Sequence, residues 1–166
     1  MNTRSARRPF KVALMLFDFD GVLTDNRVWV SQDGSEAVSC NRSDGLGFNL
    51  LRGAGIPCMI VSTENNPVVK HRGKKLRVPV MQSVSDKGEA VRKICRNRRI
   101  DPKHVAFVGN DLNDLPAMKL TGFRLCPSDA AQEVKRLCTH VLRAKGGRGV
   151  VREIAAGLGT EWIAHR

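Results

Sequence analysis

Asp18 and Asp20 stand two residues apart at the end of an apolar run, LMLFDFDGVLTD over residues 14–25, with Gly21 directly behind them. A second oxygen-rich cluster, Gly109-Asn110-Asp111-Leu112-Asn113-Asp114, follows another apolar run much later in the chain. Carboxylates at the end of a buried strand are costly unless a cation neutralises them or their pKa rises until they are neutral. Two strand ends bearing carboxylates and an amide make an all-oxygen site suited to Mg²⁺ rather than to a softer metal. A metal-bound carboxylate can attack phosphorus to give an aspartyl phosphate, while a second carboxyl protonates the leaving alkoxide and then activates water. Ser62 and Lys87 would hold the phosphoryl oxygens, whose charge must be matched during transfer.

Such a site needs a scaffold that delivers distant segments to one edge. Short β-branched runs alternate with helical-period segments along the chain, the pattern of a parallel sheet covered by helices, so the fold class is α/β. Strands are expected near 11–17, 56–61, 78–82, 104–108, 122–126 and 139–142, and helices near 44–54, 66–76, 86–98, 112–120, 129–137 and 149–158. Between the first strand and first helix, RVWV (27–30) and EAVSC (36–40) flank the Asp33-Gly34 turn signal and predict a small hairpin flap over 26–41. In open α/β sheets the site lies outside the carboxyl ends of the strands. The residues in those places are Asp18 to Gly21, Ser62-Thr63-Glu64, Ser83 to Lys87, and Gly109 to Asp114.

The totals bound the function classes. The chain has 166 residues, 42% hydrophobic and 27% charged, which suits one domain with a substantial core and no bilayer-spanning tract. We expect a basic arm over 1–10, a single domain over 11–158 and a tail over 159–166. The opening MNTRSARRPFKVALMLF pairs basic residues with an apolar run, but the run breaks at Asp18 and no small-residue cleavage site follows, so it reads as an arm entering the first strand rather than a signal peptide. Five cysteines, odd in number and widely spaced, predict reduced thiols and a cytoplasmic setting, and four scattered histidines do not suggest zinc.

The net charge of +12 favours anionic partners, either small phosphates or nucleic acid. Aromatics are only 5%, without tyrosine, which leaves little for a base-stacking platform. The densest basic group, Arg92, Lys93, Arg96, Arg98 and Arg99, falls mostly opposite the apolar stripe Ala90, Val91, Ile94 and Cys95 and reads as a solvated helix face. A nucleic-acid binder therefore stands third among the function readings.

DFDGVLTD, the hydroxyl of Ser62, Lys87 in SDKGEA and VGNDLND resemble the four motifs of the haloacid dehalogenase superfamily of phosphatases. The flap, RSDGLGFNLL and the late GGRGVVRE resemble the subfamily containing 3-deoxy-manno-octulosonate 8-phosphate phosphatase, which also includes the phosphatase-like domain fused to some sialic acid cytidylyltransferases. The likeness covers residues 12 to 158 and implies a Rossmannoid three-layer sandwich without a cap domain. It implies Asp18 as nucleophile, Asp20 as general acid and base with its main-chain carbonyl on the metal, and Asp114 supporting the metal's outer shell. It also implies Ser62 and Lys87 on the phosphate, Mg²⁺ as cofactor and a homotetramer in which the glycine loop at 146–149 and the tail meet a neighbouring subunit's site. The chain departs from the pattern at Asn110, where the subfamily usually has a third metal-binding Asp. Either Asn110, through its amide oxygen, or Asp111 would complete the ligand set.

The segment STENNPVVKHRGKKLRV bears on the substrate. Glu64 could accept hydrogen bonds from sugar hydroxyls, and Arg72 or Lys75 could meet a carboxylate. Thr63-Glu64, with Lys75 one helix later, looks more like the branch acting on nine-carbon 2-keto-3-deoxy acid 9-phosphates than on eight-carbon 8-phosphates. The expected function is a Mg²⁺-dependent sugar-acid phosphatase. The alternative, suggested by Asn110, is a non-catalytic oligomerisation module associated with an acylneuraminate cytidylyltransferase. Several of these residues also admit structural roles: Asp114 as a helix cap before Leu115-Pro116, Ser62 as a cap for the helix near 66, and the glycines as a flexible turn.

Overall fold

The computed structural model describes residues 11–157. The arm over 1–10 and the tail over 159–166 expected above lie outside them, as does the predicted end of the last helix at 158. Strand β1 (Leu14–Phe17) is apolar at every position and buried on both faces, as the centre of a parallel sheet must be. Its two faces serve different layers because successive side chains point opposite ways. Met15 and Phe17 pack with Phe48, Leu51, Val151 and Ile154, whereas Leu14 and Leu16 pack with Val91, Ile94, Met118 and Val134.

The remaining elements follow in chain order. They are β2 (Thr24–Val30), β3 (Glu36–Cys40), α1 (Ser43–Gly53), β4 (Cys58–Val61), α2 (Val68–Leu76), β5 (Val80–Met81), α3 (Lys87–Arg98), β6 (Val105–Val108), α4 (Leu115–Leu120), β7 (Phe123–Cys126), α5 (Gln132–Leu137), β8 (His140–Val141) and α6 (Val150–Ala156). The main sheet runs β5-β4-β1-β6-β7-β8 with every pairing parallel, and β2 and β3 form a separate antiparallel hairpin. Helices α1, α2 and α6 cover one face and α3, α4 and α5 the other, giving the three-layer α/β sandwich expected.

The chain leaves β1 toward β4 and β5 on one side and returns to β6, β7 and β8 on the other, so the switch in strand order falls beside β1. Ladder hydrogen bonds continue one residue past the strand ends there. The N–H of Asp18 donates to the Val108 carbonyl at 2.9 Å, that of Ser62 to Met81 at 2.9 Å and that of Gly109 to Leu125 at 3.1 Å. Three strand tips are thereby held in register at one edge.

Most elements are shorter than their apolar runs suggested, for local reasons. β4 starts at Cys58 rather than 56, because Pro57 has no N–H and contributes only its carbonyl, to Met15. The segment predicted as one helix over 112–120 is a 3-10 turn at Leu112–Asp114 followed by α4, with Pro116 in the first turn of the latter. The flap strand β2 begins at Thr24, three residues before its predicted start, because the register shifts between Thr24 and Val28 and lets Thr24 still pair with Cys40.

One long-range tether joins the chain's first and last described helices. Gly149 precedes α6 and offers no side-chain cap, so the helix's leading N–H groups are satisfied from elsewhere. Asp44 Oδ1, buried on α1, accepts from Val151 N at 3.0 Å and Arg152 N at 3.3 Å. Burial nonetheless raises the Asp44 carboxyl from its ordinary value to about 6, against the pull of those two N–H groups and of Arg72.

Candidate active site

After Asp18 the chain turns tightly: the N–H groups of Leu23 and Thr24 both donate to the Phe19 carbonyl, at 2.8 and 3.1 Å. Gly21 adopts φ +79° in this turn, and a Cβ there would overlap the Asn110 side chain. Glycine is thus required twice, for backbone conformation and for the approach of Asn110. Thr24 closes the turn. Its Oγ1 accepts from Gly21 N (3.1 Å) and Asn26 N (3.2 Å) and donates to Asp20 Oδ1 (3.2 Å), which aims the Asp20 carboxyl.

Lys87 opens α3, whose N-terminus is capped by Asp86 Oδ1 accepting from Gly88 N (2.7 Å) and Glu89 N (3.1 Å). The lysine is 1% exposed, and its Nζ lies 2.6 Å from Asp18 Oδ1 and 2.7 Å from Asp114 Oδ1. Burial opposes its charge, but the two carboxylates outweigh that and raise its pKa. Asp18 is pushed up to about 7, first by burial and then by the Asp114 charge, with Lys87 opposing both. Asp20 is also raised, by burial foremost, with Glu64 and Glu36 adding to the shift and the Thr24 hydroxyl opposing it.

Asp114 holds two things at once. Its Oδ1 meets Lys87, and its Oδ2 accepts from Asn110 N at 2.8 Å and Asp111 N at 3.3 Å, which fixes the loop after β6. In that loop the two adjacent candidates diverge. Asp111 Oδ1 accepts from Leu112 N at 2.7 Å and caps the 3-10 turn. The Asn110 amide instead turns inward, one of its two ends lying 3.2 Å from Asp18 Oδ2 and 2.9 Å from the Asp20 carbonyl oxygen.

Adjacent oxygens in an octahedron with metal–oxygen distances of about 2.1 Å are about 3 Å apart. With its oxygen inward, Asn110 completes a triangle of carboxylate, main-chain carbonyl and amide oxygens whose two measured edges match that spacing. The residues present therefore fit Mg²⁺. No group of three His, Cys, Asp or Glu side chains among the described residues could hold a metal; the set here is mixed, with an amide and a main-chain oxygen beside the carboxylate.

These groups line a cleft of about 340 Å³ with Thr63 and Asn113 on its wall. Asp20 and Asn26 also border a second hollow of about 290 Å³ between the flap and the start of α2, lined by Arg27, Glu36 and Glu64. Asn66 Nδ2 donates to Glu36 Oε2 at 3.1 Å and links the flap to the α2 entry. Ser62 lies beneath, 1% exposed, its Oγ accepting from Glu64 N at 3.0 Å.

The three residues expected to read the substrate separate. Glu64 borders the flap hollow, with Oε1 accepting from Asn65 N and Asn66 N at 2.7 and 2.9 Å. Arg72 donates to the Asn41 carbonyl at 2.8 Å and so ties α2 to the end of the flap. Lys75 lies elsewhere, in a hollow with Gly45, Asn49 and Arg77. The helix explains this, because α2 starts only at Val68 and carries Lys75 about 10 Å along its axis from that start. Thr24 and Asn26 were missed by sequence reasoning. A hydroxyl four residues after Asp20 was the available signal for Thr24; Asn26, at φ +64°, had none.

The glycine loop before α6 packs on its own chain. Gly147 N donates to the Val22 carbonyl at 3.0 Å, and a Cβ at Gly146 would overlap the Gly21 carbonyl. Asp129 Oδ1 accepts from Gly146 N at 2.9 Å. The loop buttresses the turn after Asp18 from behind.

A switch-point cleft where a carboxylate after β1 and an amide after β6 meet an ammonium from the start of α3 is the arrangement of a haloacid dehalogenase-type hydrolase. Residues 63–154 match the model of the haloacid dehalogenase-like hydrolases, and the chain belongs to that family. It is 30% identical over 149 residues to 3-deoxy-D-manno-octulosonate 8-phosphate phosphatase KdsC of Yersinia pestis, covering 89% of this chain and 80% of that one. It is 29% identical over 152 residues to N-acylneuraminate cytidylyltransferase A of Danio rerio, covering 89% of this chain but 35% of that protein.

Among solved structures, a Streptomyces avermitilis protein assigned to the HAD family of hydrolases superposes with TM-score 0.88 at 39% identity, covering 95% of each chain. The Moraxella catarrhalis 3-deoxy-D-manno-octulosonate 8-phosphate phosphatase, solved with a magnesium ion, a phosphate ion and KDO, gives TM-score 0.84 at 28% identity, covering 90% of this chain and 85% of that one.

Proposed function

We propose that this protein is a Mg²⁺-dependent phosphomonoesterase acting on a sugar-acid phosphate through an aspartyl-phosphate intermediate. One observation carries the reading: a single buried carboxylate, Asp18, has one oxygen on Lys87 and the other 3.2 Å from the Asn110 amide, the same end of which lies 2.9 Å from the Asp20 carbonyl oxygen. Asp18, the Asp20 carbonyl and Asn110 would hold Mg²⁺, with Asp114 positioning the loop behind them. Bound there, Mg²⁺ supplies Lewis-acid stabilisation of the phosphoryl oxygens.

An Asp18 oxygen attacks phosphorus, and the bond from phosphorus to the sugar oxygen breaks. The raised Asp20 carboxyl gives its proton to that leaving oxygen. As a carboxylate, Asp20 then takes a proton from water, whose oxygen attacks phosphorus and releases Asp18 and inorganic phosphate. Lys87 balances the charge of Asp18 before attack and of the phosphoryl group after it. Ser62 Oγ, already accepting from Glu64, directs its hydrogen to a phosphoryl oxygen.

The flap hollow receives the sugar. Glu64 and Asn26 face its hydroxyls, and Arg27, rather than Lys75, is the cation on that wall for the substrate carboxylate. Thr63-Glu64 favours nine-carbon 2-keto-3-deoxy acid 9-phosphates over the eight-carbon 8-phosphate. The reading includes a homotetramer, with the exposed flap residues Val28, Trp29 and Val30 as contact surface.

Initial rates on both substrate sizes, with and without EDTA, test this proposal. The expected result is Mg²⁺-restored hydrolysis with kcat/KM higher for the nine-carbon ester. The Asn110 departure and the likeness to part of a cytidylyltransferase favour a second reading, a non-catalytic assembly module. It predicts no turnover of any phosphate ester in excess Mg²⁺.

A further inference from the structure

We propose that Asn110 works as a two-ended amide, presenting its oxygen when a divalent cation is bound and turning its nitrogen onto Asp18 Oδ2 and the Asp20 carbonyl when none is. The inference rests on the reading of this cleft as a Mg²⁺ site, and it concerns how the site is kept intact between loaded states.

The geometry supplies the reason. Two oxygens, one of them on a buried carboxylate, face one end of the Asn110 amide at 3.2 and 2.9 Å. With Asp18 ionised, as it is opposite Lys87 or a cation, a third oxygen in that position is tolerated only with a cation between them, since three acceptors then have no proton to share. The nitrogen end has two N–H donors and two acceptors in reach, so it satisfies both at once. A carboxylate in this place would have acceptors at both ends and would add a second charge.

The surroundings allow the side chain to turn while the backbone stays put. Asn110 N donates to Asp114 Oδ2 at 2.8 Å, and its carbonyl accepts from Ala131 N at 2.9 Å. The amide lies against the bare Cα of Gly21, where any Cβ would overlap it. Lys87 remains on Asp18 Oδ1 throughout, so only Oδ2 changes partner. Cation uptake must displace two hydrogen bonds, which trades affinity for a site that does not spring open when the ion leaves.

Asparagine-¹⁵N-labelled protein, stripped of metal and then saturated with Mg²⁺, tests this, with the Asn110 side-chain signals identified by their loss in Asn110→Asp. The expected result is an Asn110 NH₂ pair whose solvent exchange is slowed at least about tenfold without metal relative to the Mg²⁺-saturated protein. Calorimetric Mn²⁺ titration of Asn110→Asp should give a Kd at least about tenfold lower than wild type, with a lower metal-free melting temperature. An Asn110 signal unchanged by saturating Mg²⁺ overturns the inference. Neither readout uses turnover: a Mg²⁺-responsive amide in a protein without phosphatase activity would leave this inference standing and remove the catalytic reading, and Mg²⁺-dependent turnover with a silent amide would do the reverse.

Discussion

Lys87 Nζ lies 2.6 Å from Asp18 Oδ1, the lysine 1% and the aspartate 5% exposed. The partners come from adjacent layers of the sandwich, one following the central strand and the other opening α3. Removing the cation would strand two buried carboxylates, Asp18 and Asp114, without compensation. Lys87→Met should therefore cost about 3–5 kcal/mol of folding stability and lower turnover at least about 100-fold. Urea unfolding followed by circular dichroism measures the first and phosphate release the second. An unchanged urea midpoint would show that the pair is not holding the two layers.

Asp18→Asn keeps an oxygen for Lys87 and the size of the side chain but removes the nucleophile. Turnover should fall at least about 10³-fold while the far-UV spectrum is preserved. Robust hydrolysis by this variant would refute Asp18 as the attacking group.

Gly21→Ala asks two things of the turn: a non-glycine residue at φ +79° and a methyl group where the Asn110 amide lies. The conformational part should cost about 1–2 kcal/mol. The amide, at the end of a side chain, is the part that yields. Mg²⁺ affinity measured calorimetrically should therefore drop at least about tenfold while the protein stays folded at 25 °C. Unchanged affinity would place Asn110 outside the ligand set.

Asp44 gives a pH dependence independent of the cleft. Its carboxyl is ordinary near 3.8 when unfolded and raised to about 6 when folded, so the folded state binds the proton more tightly. The contribution of this group is fully present below about pH 4, declines as pH rises to about 6 and is constant above. Asp44→Asn retains an oxygen for Val151 and Arg152 and no longer titrates. Its stability relative to wild type should improve by on the order of 2–3 kcal/mol from pH 4 to pH 7. Guanidinium unfolding at a series of pH values reads this directly; a flat difference would assign the shift elsewhere.

The parts of this molecule that were legible beforehand are those written locally. LMLF and VAFV are apolar at every position because both sheet faces are covered, and the carboxylates follow such runs because that edge is where the fold meets solvent. Lys87 was found through its motif, since nothing local distinguishes it from the other lysines. Asn110 and Asp111 stayed unresolved because neighbours in a turn face opposite ways, and the choice was made by Asp114 gripping both backbone N–H groups. Lys75 was assigned to the substrate through its charge and the resemblance to the nine-carbon branch, but Pro67 and Asn66 set where α2 begins and so how far the lysine is carried. The role of the glycine loop as a buttress depended on the Gly21 carbonyl, a contact spanning most of the chain.

The tether between α1 and α6 also matters while the protein is being made. Asp44 leaves the ribosome 107 residues ahead of Val151, which at about 5–20 residues per second amounts to roughly 5–20 s. During that interval the underside of the first helix has neither its helical neighbour nor donors for its carboxylate. The nascent chain can pair its early strands, but this layer closes only when α6 emerges, so a translational pause before residue 150 prolongs the time that Phe48 and Leu51 remain open to chaperones or to other nascent chains.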